Sequence, residues 1–348
     1  MPVARKPPAV RKAHVALFDA TTLVAKGVKD RLVDREFPIA SVHLYTSSDD
    51  PEANLTEFAG EAMLVAQPDV DALGAIDVAF FCGSRAEGER YMDWPAAKGF
   101  VGIDLTTASR VRPDVPLVNA SVNHGTLPKG PGLVAAPRPI GLMLSTVLAA
   151  IERGCGLREA AAVVLQPVSE CGEEGIGELY KQSLALLNFQ DMPTELFGRQ
   201  VAFNLVPDFA YGGAGTPGAG TPAEIEREVA RITGGGFALS VAVVVAPVFH
   251  CHAAMVRVVL PAGRAVADLE AALGAAGDIR LAKTGGAITP VERAGEAGIL
   301  LAGLRPAGAE EAYWLWVVSD NLTSGAALNA VRIAEAVWAR PMGRKEEA

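Results

Sequence analysis

The residues in this chain that could do chemistry sit where polar groups interrupt apolar runs. The run Trp314 to Val318 has β character and ends at Ser319-Asp320-Asn321. Gly325 then opens a stretch with helical spacing: Ala327, Val331, Ile333, Ala334 and Val337. A strand that hands a polar pair to the mouth of a helix can place an amide beside a ligand, because the free N–H groups there favour polar partners. The same residue types also serve as plain helix caps, with Asp320 and Ser324 as the candidates. A second group is His250-Cys251-His252. On a strand the two imidazoles would share one face and Cys251 would point to the other. A His-x-His pair can hold zinc only with a third ligand; none is identifiable, so no metal site is expected. The four cysteines, Cys82, Cys155, Cys171 and Cys251, lack paired spacing and read as reduced, mostly buried thiols.

The elements that must position these groups follow from length and patterning. A chain of 348 residues buries a large core and suggests two domains. Half of its residues are apolar and a fifth are charged, which is a globular composition. The net charge of −9 and pI near 5.2 argue against a nucleic-acid partner, which needs a basic face. The basic stretch Arg5 to Lys12 contains Pro7-Pro8, and residues 1–12 read as a frayed tail. No segment approaches the ~20 apolar residues that span a bilayer. Phe237 to Phe249 is shorter and Val-rich, as in a buried strand, and Asp19 and Lys26 interrupt His14 to Gly27. A cytoplasmic protein without membrane partners is the expectation.

Strands are expected at His14–Phe18, Val42–Tyr45, Asp77–Phe81 and Phe100–Leu105, with helices at Thr22–Val33 and Ala86–Lys98. That alternation predicts an α/β unit, a Rossmann-like doubly wound parallel sheet covered on both faces. From about Pro137 the pattern changes. Val-rich runs at Ala160–Val168, Leu239–Phe249 and Ala254–Leu260 predict a mixed sheet covered by helices at Gly172–Asn188 and Ala223–Thr233. Gly212 to Gly220 (GGAGTPGAG) reads as a flexible loop between them.

The closing block from Trp314 to Val337 resembles the corresponding segment of the aspartate-semialdehyde dehydrogenase family. Leu196 to Asn204 and Val245 to Phe249 resemble the Usg-type paralogues of that enzyme, which lack its catalytic Cys. The resemblance spans nearly all of residues 13 to 338. It implies a Rossmann-like domain of residues 13–136 plus 325–348, and an α+β dimerisation domain of residues 137–324 that supplies a homodimer's sheet. It further implies that Asn321 sits by a nicotinamide carboxamide, that His252 is the acid/base, that Gln166 positions the intermediate, and that Arg110 binds phosphate.

Departures from the family pattern decide the functional expectation. Where the family has Gly-Ala-Thr-Gly-x-x-Gly, this chain keeps Ala20 and Thr21 but places Asp19, Thr22 and Ala25 at the three glycines. A phosphate turn needs close backbone approach, so an ordinary capped turn is the expectation here. The acidic Asp49-Asp50 disfavours a 2′-phosphate, so NAD is favoured over NADP if either binds. Pro139 stands at the nucleophile position and Arg138 before it; proline suits a first helical turn but has no nucleophile. Cys171, following Gln166-Pro167-Val168-Ser169-Glu170 where the family has Gln-x-x-Ser-Gly, is the one plausible substitute thiol. Val245 and Glu224 stand where the family has an Arg and a Lys for the amino-acid substrate.

The expected protein is a catalytically silent paralogue that acts as a binding or interaction homodimer. One alternative is an NAD(P)-dependent semialdehyde oxidoreductase with altered substrate or thiol. Another is a small-anion binder, with Arg110, Arg138 and His252 converging on the helix that begins near Pro139.

Overall fold

The computed structural model describes residues 11–48, 54–282, 288–308 and 311–339. Residues 1–10, Asp49-Asp50 and the end of the chain after 339 lie outside them, so those expectations carry no structural account.

The first half runs β1 (Ala13–Phe18), α1 (Leu23–Asp34), β2 (Ile39–Tyr45), the hairpin β3 (Leu55–Phe58) and β4 (Glu61–Leu64), then β5 (Val78–Phe81). It continues through α2 (Arg85–Tyr91), α3 (Trp94–Lys98), β6 (Val101–Asp104) and β7 (Gly132–Ala135). The sheet order is β2-β1-β5-β6-β7 and every pairing is parallel. The chain leaves β1 toward one edge and returns on its other side at β5. Ligands of such sheets bind outside the carboxyl ends at that reversal.

Burial of β1, β5 and β6 on both faces explains their continuous apolar sequences. One face packs on α1 and the chain's last helix. The other carries an aromatic cluster of Phe18, Tyr45, Phe81, Tyr91 and Trp94, with centroids of Phe18 and Tyr45 4.9 Å apart. Each such buried ring contributes about 1.5–3 kcal/mol. The single helix expected over Ala86–Lys98 is two, because Pro95 has no N–H to continue the first and instead sits in the opening turn of α3.

The long helix α4 (Pro139–Cys155) leads to the second sheet. There follow β8 (Glu159–Gln166), α5 (Gly172–Leu187), β9 (Val206–Pro207), α6 (Pro222–Thr233), β10 (Ala238–Val245) and β11 (His252–Val259). Then come α7 (Val266–Gly274), β12 (Ile279–Leu281), α8 (Pro290–Arg293), β13 (Ile299–Pro306), β14 (Ala312–Ser319) and α9 (Leu328–Trp338). The order β12-β13-β14-β11-β8-β10-β9 mixes parallel and antiparallel pairs. Residues of α4, α6 and α7 join the core on one face of the sheet. The other face is apolar and partly exposed among the described residues: Val163 is 47% exposed, and Leu165, Val244 and Met255 are half-buried.

Three further expectations change. Strand β10 stops at Val245, before Pro247, and β11 starts only at His252. His250 and Cys251 therefore lie in the connection, and Cys251 is left-handed with φ 74. The Gly212–Gly220 segment is a folded loop in which Thr216 and Gly220 exchange backbone hydrogen bonds of 3.1 Å. A Cβ on Gly220 would strike the Arg138 guanidinium and the Glu224 carboxylate. Finally, Gly325 does not open the last helix. Asn321–Ala327 forms a wide π-type turn with Gly325 at φ −80, ψ −118, and α9 begins at Leu328. The turn is wedged between α1 and α4: a Cβ on Gly325 would lie 3.2 Å from Pro139, and one on Gly27 of α1 3.1 Å from Ala327.

Candidate functional site

A cleft of about 230 Å³ lies outside the carboxyl ends of β5 and β6, closed by the start of α4 and by the turn after β14. Val24, Leu105, Pro139, Leu322, Ala326 and Ala327 supply its apolar lining. Arg110, Arg138, Ser169, Glu170 and Asn321 supply charged and polar groups. A larger groove of about 390 Å³ runs between α4 and α7, but Ala and Gly dominate its walls.

Asp320 and Asn321 divide two tasks. Asp320 caps the turn: its Oδ1 accepts from the Leu322 and Thr323 amides at 2.8 and 2.7 Å, and its Oδ2 from the Gly295 amide at 2.7 Å. Asn321 faces the cleft. Its Oδ1 accepts from the Cys251 amide at 3.1 Å, and its Nδ2 donates to Ser169 Oγ at 3.0 Å and Glu170 Oε1 at 3.2 Å.

Glu170 is the residue whose site role the sequence reading missed. Its side chain is 6% exposed, and its Oε1 lies 3.8 Å from His252 Nε2, which is itself buried and has no hydrogen-bond partner among the described residues. Burial pushes the Glu170 carboxyl up to about 7, against the pull of Arg110, the Asn321 hydrogen bond and Arg138. Burial pushes the His252 imidazole down to about 3, so at neutral pH it is uncharged. The available signal was a glutamate standing where the resembling segment has glycine.

The two arginines differ. Arg110 is buried and donates Nε to the Ala136 carbonyl at 2.8 Å and Nη2 to the Leu105 carbonyl at 3.0 Å. No carboxylate among the described residues comes within 4.0 Å of it. Burial lowers its pKa, partly offset by Glu228. Arg138 is instead spent on structure. Its Nε lies 2.8 Å from Glu228 Oε1, Nη1 donates to the Ala219 carbonyl, and Nη1 lies 3.5 Å from Glu224 Oε2.

Glu228 also accepts the Arg138 backbone N–H at 3.2 Å, so the N-terminus of α4 already has its anion. The expected convergence of Arg110, Arg138 and His252 on a free helix end is therefore corrected: of the two arginines Arg110 alone lacks an ion pair within 4.0 Å among the described residues, and His252 stands behind Glu170. A charge among the buried positions Ile225, Glu228, Val229 and Ile232 of α6 was the sequence signal for this clamp.

Gln166 is fully buried. Its Nε2 donates to the Pro217 carbonyl at 2.6 Å and its Oε1 accepts from Thr216 Oγ1 at 2.5 Å, so it holds the glycine-rich loop and does not line the cleft. Pro139 opens α4 on the cleft wall. Among the described residues no cysteine lines the cleft. Cys171 and Cys251 are pushed up to about 12 by burial and neighbouring carboxylates, and burial also raises Cys82 and Cys155. Cys251 packs with Ala253 and Val318, away from His252. Among the described residues no group of three or more His, Cys, Asp or Glu could hold a metal.

At the first βα turn Thr22 caps α1, accepting from the Ala25 amide at 3.2 Å. Asp19 holds φ 58, the left-handed conformation that glycine would supply. Its buried carboxylate accepts from the Ser47 amide at 3.1 Å and hydroxyl at 2.7 Å, while Oδ2 has no hydrogen-bond partner among the described residues. Burial raises its pKa, and Glu87 adds to that. Ala20 is buried, and a Cβ on Gly83 would strike both Asp19 and Glu87. A pyrophosphate laid on this turn, beside Ala20, Thr21 and Thr22, would meet the Asp19 carboxylate with Glu87 close by.

Comparison with known proteins agrees with this fold. Residues 14–129 match the family description "Semialdehyde dehydrogenase, NAD binding domain", and residues 148–324 match "Semialdehyde dehydrogenase, dimerisation domain". The chain is 27% identical to the aspartate-semialdehyde dehydrogenase of Rickettsia bellii over 332 residues, covering 93% of this chain and 97% of that one. It is 30% identical to the USG-1 protein homolog of Pseudomonas aeruginosa, covering 92% and 96%. Among solved structures, aspartate semialdehyde dehydrogenase II from Vibrio cholerae superposes with a TM-score of 0.83 at 28% identity, covering 93% of this chain and 98% of that one. With both family descriptions matched along one chain, this protein belongs to the semialdehyde dehydrogenase family.

Proposed function

We propose that this protein keeps the semialdehyde dehydrogenase fold without its thiol-dependent chemistry, and that its cleft binds a small anion. The observation that carries the first part is Pro139 at the head of α4, with every native thiol raised by burial. A thiohemiacetal needs thiolate, and none is available near neutral pH. The second part rests on Arg110, a buried cation on the cleft wall without a carboxylate within 4.0 Å among the described residues.

The turn of Ala20, Thr21 and Thr22 does not fit a dinucleotide pyrophosphate while Asp19 fills it, so no step is assigned to a nicotinamide cofactor. Asn321 on the cleft wall, and relatives named aspartate-semialdehyde dehydrogenase, support a second reading: an NAD(P)-dependent dehydrogenase of altered substrate, NAD being favoured over NADP. We take residues 13–136 with 325–348 as the nucleotide-type unit and residues 137–324 as a dimerisation unit. The partly exposed apolar sheet face around Val163 then joins two copies in a cytoplasmic homodimer. Among the described residues no helix is long and apolar enough to cross a membrane.

One set of measurements separates these readings. Purified protein is assayed for phosphate-dependent reduction of NAD and NADP with aldehydes, and titrated calorimetrically with phosphate, NAD and NADP. Phosphate binding without turnover is expected. Turnover abolished by alkylating a cysteine refutes the silent reading, and loss of phosphate binding in R110M is required for the anion reading.

A further inference from the structure

The thiol's place has not been left chemically empty. We propose that Glu170, positioned by His252 and Asn321, is a proton-transfer centre, and that the cleft takes small 2-oxo acids, removing and returning a proton at the carbon beside the carbonyl. The inference rests on the anion reading above, because Arg110 would hold the substrate carboxylate.

The placement carries the argument. Glu170 is ionisable, 94% withdrawn from solvent as a side chain that is 6% exposed, and on the cleft wall. A purely structural carboxylate at this depth is satisfied by an arginine, as Glu228 is by Arg138, or by several backbone amides, as Asp320 is. Glu170 has instead, among the described residues, one amide hydrogen bond, from Asn321, and a neutral imidazole at 3.8 Å. The charged or titratable groups that act on it or lie beside it are Arg110 after β6, Arg138 at the head of α4, His252 at the start of β11, and Cys171 next in the chain. Two cations favour the carboxylate and burial favours the acid, which leaves both forms accessible near neutral pH.

The step balances without an oxidant or co-reactant. The C–H bond next to the carbonyl breaks, its proton passes to a Glu170 carboxylate oxygen, and its electron pair moves to the carbonyl oxygen as an enolate. Asn321 Nδ2 and Ser169 Oγ, now bonded to one another and near Glu170, are the donors on hand for that oxygen. The apolar lining from Val24, Leu105 and Leu322 keeps water from competing. His252 Nε2 has no hydrogen-bond partner among the described residues and lies 3.8 Å from Glu170 Oε1, so a small shift lets it accept from the protonated carboxyl and position it.

The test uses pyruvate, 2-oxobutanoate and 2-oxoglutarate in deuterated buffer, with butanone as the neutral control. Exchange at the carbon beside the carbonyl is followed by proton NMR, and binding by calorimetry. Exchange above the buffer rate is expected for at least one acid and not for butanone, rising with pH through about 7 as Glu170 ionises. E170Q should bind the acid yet lose about 100-fold or more of the exchange, as for a removed general base. E170D, which keeps a carboxylate, should retain part of it. H252N should move the pH inflection rather than only lower the rate. Binding without exchange overturns the proton-transfer centre and leaves anion binding standing. Exchange unaffected by E170Q also overturns it, and absence of binding by all three acids overturns the 2-oxo acid assignment, while the anion reading falls only if phosphate fails to bind as well.

Discussion

Replacing Glu170 by glutamine removes one titration and little volume, and the amide still offers an oxygen to Asn321 Nδ2. In the folded chain the carboxyl is held up to about 7, from an ordinary value of 4.5. The native state therefore binds this proton more tightly than the unfolded chain does. Its stabilising contribution is complete below the unfolded value and is lost as pH rises through about 7. At about 1.4 kcal/mol per unit, the wild-type protein at pH 8 forgoes ~3 kcal/mol relative to a variant that cannot ionise. At pH 5 the same linkage leaves a difference of under ~1 kcal/mol. Urea unfolding of both proteins at about pH 5, 6, 7 and 8 reads the effect directly. E170Q should be the more stable protein at high pH, with the gap closing toward acid and its slope greatest between the two pKa values. All other groups, His252 included, are common to both proteins and cancel to first order. Stability profiles that run parallel from pH 5 to 8 would refute the claim that Glu170 is buried and proton-holding.

Other outcomes follow from the same geometry. R138A strands Glu228 at the head of α4 and should cost about 3–5 kcal/mol in urea unfolding, whereas R138M/E228L should recover most of it; equal losses in both would refute the clamp. P139C should place a thiol in the first turn of α4 that reacts with iodoacetamide well before the four native cysteines, since their pKa values are raised; uniformly slow alkylation would show that this helix end does not activate thiols. D19G/T22G/A25G should raise the melting temperature in the presence of NAD where the wild-type chain shows no shift, because the φ 58 backbone at Asp19 is already shaped for glycine; no shift in the variant places the obstacle elsewhere. H252N should flatten the loss of stability on acidification below about pH 6.5, since the buried neutral imidazole must take up a proton as pH falls toward its folded value of about 3.

Much of the architecture was written in local patterns. Continuous apolar runs announced the parallel strands, and the Val-rich segments announced the second sheet, because burial on one or both faces leaves its period in the sequence. Boundaries were less legible. Pro95 splits one helical pattern in two, and the π-type turn after Asn321 delays α9 to Leu328, since helical spacing does not record where hydrogen bonding starts. The site was legible in identity but not in allocation. Arg110, Arg138 and His252 were recognisable singly, yet which cation is already neutralised depends on Glu228, 90 residues beyond Arg138 in the chain. Gln166 turned out to serve the glycine-rich loop for the same reason. Glu170 was visible only as a departure from a pattern, and its perturbed acidity comes from burial that no spacing encodes.

The wedging of the closing turn between α1 and α4 also has a temporal side. The core that covers β1 and α1 is completed by Ala326 to Val337, residues made long after them. Roughly 300 residues separate α1 from α9, so at about 5–20 residues per second the apolar flank of α1 waits about 15–60 s for its cover during synthesis. The first sheet to leave the ribosome is thus the last to be sealed. A chain released just before Leu328 would expose this flank, and chaperone dependence should rise sharply for truncations there.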